Sequence, residues 1–302
     1  MSATLPSDHT IRAPRDEDAE GVLAVMRARD VADIGHPDFT IDDLRSDWAT
    51  PGVDLSRDAW VVQDAGGTVV GTGQLLGDDA LVYVHPDACG AGIGSSLRSL
   101  AEERARERGT AVLRQFVPVA NEGARALLLD AGYWPAQLYL RMIIDLADAP
   151  PRSGDVPIRA FERDRDEAAV HALLQQCLGE TEGYVAETLE TWRAQRIAKR
   201  GWDPNLWLVL EDGEGIAGAA LGETWEGGVG YVAQLAVAPR ARRRGYGREL
   251  LLALFEAFRA TGLRASELSV HGTNRGAARL YESAGMRSCW EAERWEKALG
   301  HD

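Results

Sequence analysis

Lysine is almost missing from this 302-residue chain: of its 33 Lys and Arg residues, only Lys199 and Lys297 are lysines. That scarcity already bears on function, because a nucleotide-binding P-loop needs Gly-Lys-Ser/Thr and neither glycine-rich turn here carries the lysine. Cysteine is scarce too. Cys89, Cys177 and Cys289 are odd in number and widely spaced, which excludes a disulfide framework and a metal-ligand spacing; the expectation is buried thiols in a reducing compartment and no bound metal. No apolar run approaches ~20 residues, so no segment is expected to span a membrane. The polar, acidic residues after Met1 do not read as a signal peptide, and the expected location is cytoplasmic. Net positive charge is also absent. A formal charge of −14 and a pI near 4.9 argue against a nucleic-acid partner and are compatible with a cationic or amine ligand.

What the chain has is an internal repeat. Ile11-Arg-Ala and Ile158-Arg-Ala each open a half, and Trp60 with Trp207 and Gly71 with Gly218 keep the same spacing of 147 residues. Further on, Gly92 with Gly245, Asn121 with Asn274 and Gly132 with Gly285 are 153 residues apart. One constant offset followed by another implies duplication with a net gain of six residues, placed near Glu223–Gly228. Such a period is too long for a solenoid and fits a pair of like domains. The linker Asp148-Ala-Pro-Pro-Arg-Ser-Gly-Asp155 is rich in turn formers, which predicts domains over 1–148 and 156–302.

Each half reads in the same order. In the second, a short strand (158–159) precedes helices over 166–176 and 186–199. A strand (206–211), its hairpin partner (216–223) and a buried strand (231–237) follow. The latter feeds a glycine-rich turn, and the next helix has Leu250, Leu251, Leu254, Phe255 and Phe258 at helical spacing. A strand (268–270), a helix (274–284) stopping before Gly285, and a closing strand (289–297) complete the half. The expectation is an α/β (α+β) fold: two tandem domains, each a mostly antiparallel sheet flanked by helices.

The chemistry concentrates in Val237-Ala-Pro-Arg-Ala-Arg-Arg-Arg-Gly-Tyr-Gly-Arg248, an Arg/Gly turn between a strand and a helix. A helix N-terminus with free N–H groups suits a pyrophosphate. A dinucleotide fingerprint is excluded, because its third glycine is Leu97 in the first copy and Leu250 in the second. Twenty-seven residues after Gly247 comes Asn274-Arg-Gly-Ala-Ala-Arg-Leu-Tyr-Glu-Ser-Ala-Gly-Met286. Together, turn and segment resemble the GCN5-related N-acetyltransferase (GNAT) family, once per half; tandem members of this size include mycothiol synthase.

The resemblance implies an acetyl-CoA-dependent acyltransferase acting directly on an amine of a small polar acceptor. Backbone N–H groups of Arg243, Arg244, Gly245, Tyr246 and Gly247 would hold the pyrophosphate, with Arg242, Arg243 and Arg248 neutralising phosphates. Leu235, Ala236 and Val237 would lie along the pantetheine, and one of their N–H groups would polarise the thioester carbonyl. Asn274 would cap its helix and touch the cofactor arm. Tyr281 would supply a proton or hydrogen bond to the departing thiolate, since a thiol ionises near ~8.5 and a phenol near ~10. A lysine-like amine is only about 0.04% neutral at pH 7, so a base is needed. The strand before the turn carries no acid, and Glu223 is the leading candidate beside Glu226 and His271.

The first half keeps Val84, Gly90, Gly92, Ile93 and Gly94, the residues that would hold an acyl-CoA there. It has Cys89 at the position of Arg242 and Leu128 at the position of Tyr281, so it is expected to be catalytically silent. Three alternatives stay open: an acyl-CoA-binding regulatory module without turnover, a mycothiol-synthase-like enzyme, and a protein N-acetyltransferase. Monomer and homodimer are equally compatible with the sequence.

Overall fold

The first half opens with a strand, β1 (Thr10–Arg12), whose Arg12 reaches the buried Asp18 through two hydrogen bonds of 2.6 and 2.7 Å. The second half opens on β7 (Ile158–Ala160), where Arg159 grips the buried Asp166 at the same two distances. A bidentate Arg–carboxylate pair at the head of each half is the duplication written in side chains. These geometries come from a computed structural model that describes residues 5, 7–154, 156–180, 184–197 and 202–300.

Two compact units form. Unit 1 comprises 1–139 and 290–302, and unit 2 comprises 140–289. In unit 1, β1 is followed by α1 (Ala19–Ile34), α2 (Ile41–Trp48), α3 (Leu55–Asp58), β2 (Ala59–Gln63), β3 (Val69–Leu76), β4 (Asp79–Val84), α4 (Ile93–Glu107), β5 (Val112–Pro118) and α5 (Glu122–Asp130). Then β6 (Trp134–Asp145) leaves unit 1 at Tyr139 and continues in unit 2 from Leu140. Unit 2 adds β7, α6 (Arg163–Leu178), α7 (Leu189–Arg196), β8 (Trp207–Asp212), β9 (Gly215–Trp225), β10 (Val229–Val237), α8 (Tyr246–Ala260), β11 (Ala265–His271) and α9 (Arg275–Ser283). Finally β12 (Arg287–Ala298) passes from unit 2 into unit 1 at Trp290.

The sheet of unit 1 runs β1-β2-β3-β4-β5-β12, and that of unit 2 runs β7-β8-β9-β10-β11-β6. Each unit therefore borrows its last strand from the other half. Ala292–Ala298 of β12 pair antiparallel with Pro118–Val112 of β5, and Trp295 and Leu299 are buried in unit 1's core. The sequence halves 1–148 and 156–302 are thus not the compact units. The linker region 148–156 lies inside unit 2, because edge strands pair by register and not by nearness in sequence.

Packing in unit 2 rests on α8, whose Leu250, Leu251, Leu254, Phe255 and Phe258 are fully buried. They lie against Gly218, Gly222 and Gly230 of β9 and β10. A Cβ at Gly230 would sit 2.5 Å from the Phe258 ring, so glycine there sets how closely the helix approaches the sheet. Among the described residues no helix is long and apolar enough to cross a membrane.

Candidate active site

In unit 2, β10 and β11 run parallel, yet they pair only at Val229–Ala265, Gly230–Ser266 and Tyr231–Glu267. Beyond Tyr231 the strands splay, and the β10 edge from Val232 to Val237 faces an open wedge. An unpaired strand edge offers its N–H and C=O groups to any extended amide-bearing chain. Leu235, Ala236 and Val237 all lie on this stretch of β10, where the Val237 carbonyl is already taken by the Arg242 guanidinium and the Cys177 thiol.

At the end of the wedge the chain turns through Pro239–Ala241 into α8. Arg243 (φ 62) and Gly245 (φ 80) adopt left-handed conformations, which fold the N–H groups of the turn towards one concavity. After Arg242, whose N–H bonds Pro239 O at 3.4 Å, the next backbone donors to find internal carbonyls are Arg248 and Glu249, both bonded to Gly245 O, at 3.0 and 3.1 Å. Those of Arg243, Arg244, Gly245, Tyr246 and Gly247 have no backbone partner among the described residues. This cradle at the N-terminus of a 15-residue helix fits a pyrophosphate.

The two glycines serve different ends. A Cβ at Gly245 would meet nothing, so only its φ demands glycine; a Cβ at Gly247 would strike Leu280 at 2.8 Å, so Gly247 is there to let α9 pack on α8. Arg242 is engaged otherwise than expected. Its guanidinium bonds Glu180 at 2.8 and 3.1 Å and the carbonyl of Val237 at 3.2 Å, on an exposed surface. Arg243 and Arg244 are exposed, and Arg248 bonds Ser283 O at 3.3 Å.

Across the wedge, Asn274 caps α9, its Oδ1 accepting from Ala277 N at 3.1 Å. Tyr281 follows on the same helix, half-buried against the core, and burial pushes its pKa up to about 12, with a smaller contribution from Tyr231. Its hydroxyl makes no hydrogen bond among the described residues. Glu223, half-buried on β9, is the register partner of Tyr231. His271 ends β11, and Glu226 lies in the hairpin turn with its side chain outside the described ones.

Sequence reasoning missed three features here. Glu267, buried on β11, is the other register partner of Tyr231 and pairs with buried Arg141 at 3.5 Å. The position that lacks an acid is therefore flanked by carboxylates on both neighbouring strands. Trp225, in the six-residue insertion, stacks flat on Tyr231 (4.0 Å between ring centres, 9° between planes). The Arg141 guanidinium lies 4.9 and 5.3 Å from the two ring centres, beside the stack and not over either face. Finally, β10 carries a bulge between Val232 and Gln234 that the sequence pattern did not reveal.

Unit 1 repeats the wedge, with β4 and β5 paired only at Asp79–Arg114, and repeats the turn, with Gly90 and Gly92 at φ 83 and 82. Its side chains differ. Arg29 on α1 contacts Cys89 Sγ at 3.7 Å and bonds Asp33 at 2.6 Å; Asp33 in turn accepts from Asn121 Nδ2 at 2.9 Å. This series links the turn after β4 to the cap of α5 after β5. In unit 2, Cys177 stands two residues before the helix-capping glycine, as Asp33 does in unit 1; its thiol donates to Val237 O at 3.5 Å and accepts from Arg242 Nη2 at 3.9 Å, and it does not reach Asn274. Leu128 is buried where unit 2 has Tyr281.

Comparison with known proteins agrees with this geometry. The acetyltransferase (GNAT) family pattern matches residues 29–133 and again 168–286. The chain belongs to the GNAT acetyltransferase family. It is an acyltransferase in two GNAT-type regions. Its relatives include the mycothiol acetyltransferase of Beutenbergia cavernae, 31% identical over 95% of this chain and 93% of that protein. That of Thermomonospora curvata is 34% identical over 68% and 69%. Among solved structures, a GCN5-related N-acetyltransferase from Sphaerobacter thermophilus matches with a TM-score of 0.86 at 27% identity, over 98% of this chain and 97% of that one. A tandem GNAT protein from the clavulanic acid biosynthesis pathway shares the fold, with a TM-score of 0.74 at 19% identity.

Proposed function

We propose that this GNAT protein transfers an acetyl group from acetyl-CoA directly to an amine of a small polar acceptor, and that the chemistry takes place in unit 2. The observation that carries this reading is the open wedge between β10 and β11, with a row of unpaired N–H groups at one end and Tyr281 on its far side. Acetyl-CoA, as co-substrate, supplies the activated acyl carbon. The N–H groups of residues 243–247 hold its pyrophosphate, and the β10 edge at Leu235–Val237 pairs with the pantetheine amides and polarises the thioester carbonyl through one of its N–H groups. Arg243 and Arg244 lie exposed beside the cradle, where they neutralise phosphate charge.

Glu223 takes the proton that the amine nitrogen sheds as its bond to the acyl carbon forms. The C–S bond breaks, and the Tyr281 hydroxyl faces the departing sulfur. With its pKa at about 12, Tyr281 stays protonated throughout the working range. Full proton transfer to a thiolate of pKa ~8.5 is uphill, so it acts as a hydrogen-bond donor. An acidic protein surface favours approach of a cationic acceptor.

In unit 1 the turn residues Val84, Gly90, Gly92, Ile93 and Gly94 keep the cradle, but the Arg29–Asp33–Asn121 series spans the wedge through which a pantetheine must pass. We assign no turnover to that unit. A second reading follows the relatives' name, mycothiol acetylation, and is favoured by their identity of about 30%. Turnover on a panel of small amines that includes the mycothiol precursor, read as CoA release by chromatography, separates the two. Acetyl-CoA binding without release on any amine would sink both and leave a binding module.

A further inference from the structure

The bulge on β10 changes which side chains face the reaction. On β9, Gly218 and Gly222 point at α8, so Leu221 and Glu223 point to the opposite face. Tyr231 is paired with Glu223 and therefore shares that face. Without a bulge Gln234 would point at α8. The register shift pairs it with Leu221 instead, which turns its amide to the side of Glu223 and Tyr231. Gln234 thus stands on the strand that borders the wedge, beside the edge Leu235–Val237 and on the face of the candidate base.

Its carbonyl oxygen Oε1 is buried and has no hydrogen-bond partner among the described residues. An acceptor left unmade is costly, and such groups in native proteins call for an explanation. The duplicated half supplies a contrast. By the two repeat offsets, Gln234 corresponds to Leu81 and Leu221 to Gln74. Both units therefore carry one Leu–Gln cross-strand pair, Gln74–Leu81 in unit 1 and Leu221–Gln234 in unit 2, with the residues exchanged. In unit 1 the amide is on β3, one strand away from the wedge, and lines a cavity covered by α1 and α2. Only in unit 2 does the amide stand on the wedge strand itself.

We propose that Gln234 is an acceptor-positioning residue whose Oε1 holds one N–H of the attacking amine, and that this restricts the enzyme to primary amines. The proposal rests on the reading of unit 2 as the acetyl-transfer site. A neutral primary amine has two N–H bonds and a lone pair. As the N–C bond forms the nitrogen becomes cationic and one proton passes to Glu223, while the other N–H stays on Gln234. A secondary amine has a single N–H at that stage and cannot serve both groups.

The test is steady-state CoA release by wild type, Gln234→Leu and Gln234→Glu with a primary amine and its N-methyl counterpart. Wild type should prefer the primary amine at least about tenfold in kcat/KM. Gln234→Leu should lose about ten- to hundredfold on the primary amine, the range expected for a hydrogen bond to a charged group, and should narrow the preference. Gln234→Glu, which keeps an acceptor oxygen, should recover part of the loss. Acetyl-CoA affinity and Tm should not move. Unchanged kcat/KM in Gln234→Leu overturns the proposal, as does a loss matched by weaker acetyl-CoA binding or a lower Tm, which would make the residue structural. Wild type that binds acetyl-CoA but acetylates no amine overturns the functional reading itself, and the proposal with it.

Discussion

Unit 1 and unit 2 share a turn, a wedge and a clamp on the first helix, yet they differ at two key positions, Cys89 against Arg242 and Leu128 against Tyr281. Unit 1 has the less strained turn: its two left-handed positions are both glycine, whereas unit 2 places Arg243 at one of them. Backbone that can cradle a phosphate is therefore not what distinguishes the two. The difference lies across the wedge. Unit 1 ties its lips together through Arg29, Asp33 and Asn121 and buries Leu128. Unit 2 leaves Asn274 to its cap and presents the hydroxyl of Tyr281. On the proposed reading, with turnover in unit 2 alone, the copies differ by what crosses the groove while the glycine pattern stays intact in both.

The sharpest break in the comparison is at Tyr281. Tyr281→Phe makes unit 2 resemble unit 1, and kcat should fall about a hundredfold with acetyl-CoA affinity unchanged. Burial favours the neutral phenol, so the folded-state pKa lies above the unfolded value. The stability this contributes is intact below pH ~10 and is lost as pH rises towards about 12. Wild-type rate should accordingly show no decline from Tyr281 ionisation between pH 7 and 10; a basic limb in that interval that Tyr281→Phe abolishes would contradict the assignment.

Asp33 tests the other unit. Calorimetry should count one acetyl-CoA per wild-type chain, and Asp33→Ala should add a second, weaker binding event, roughly tenfold or more below the first. Two equal sites in wild type would show that the Arg29–Asp33–Asn121 series is no barrier. The smallest effect is expected at the turn. Arg243→Gly removes a left-handed non-glycine residue and should stabilise unit 2 by about 1 kcal/mol, read from a denaturant midpoint. A destabilised variant would mean that the Arg243 side chain contributes more than its backbone costs.

Much of this was legible in the residues themselves. The order of strands and helices in the second half follows the hydrophobic period, and the turn with Asn274 and Tyr281 identifies the family. Local chemistry does not encode which sheet a strand joins. The closing strand was expected over 289–297 and is found at 287–298, but its exchange into the other unit depends on pairing with β5, more than 170 residues away. The bulge that turns Gln234 was equally hidden, since a register shift leaves no mark on composition. The role of Gly247 was legible as a requirement for glycine and not as its reason, which is the Leu280 methyl.

The exchanged strand also sets a clock. Unit 1's β5 is without its outer neighbour until Trp290–Ala298 has been made, about 150 residues after Tyr139. At ~5–20 residues per second, that is roughly 8–30 s of synthesis during which the edge of β5 stays open. Phe116 is exposed on that edge even in the finished protein. The first unit to be synthesised is thus among the last to be completed, and its open edge must be kept from other chains during the wait.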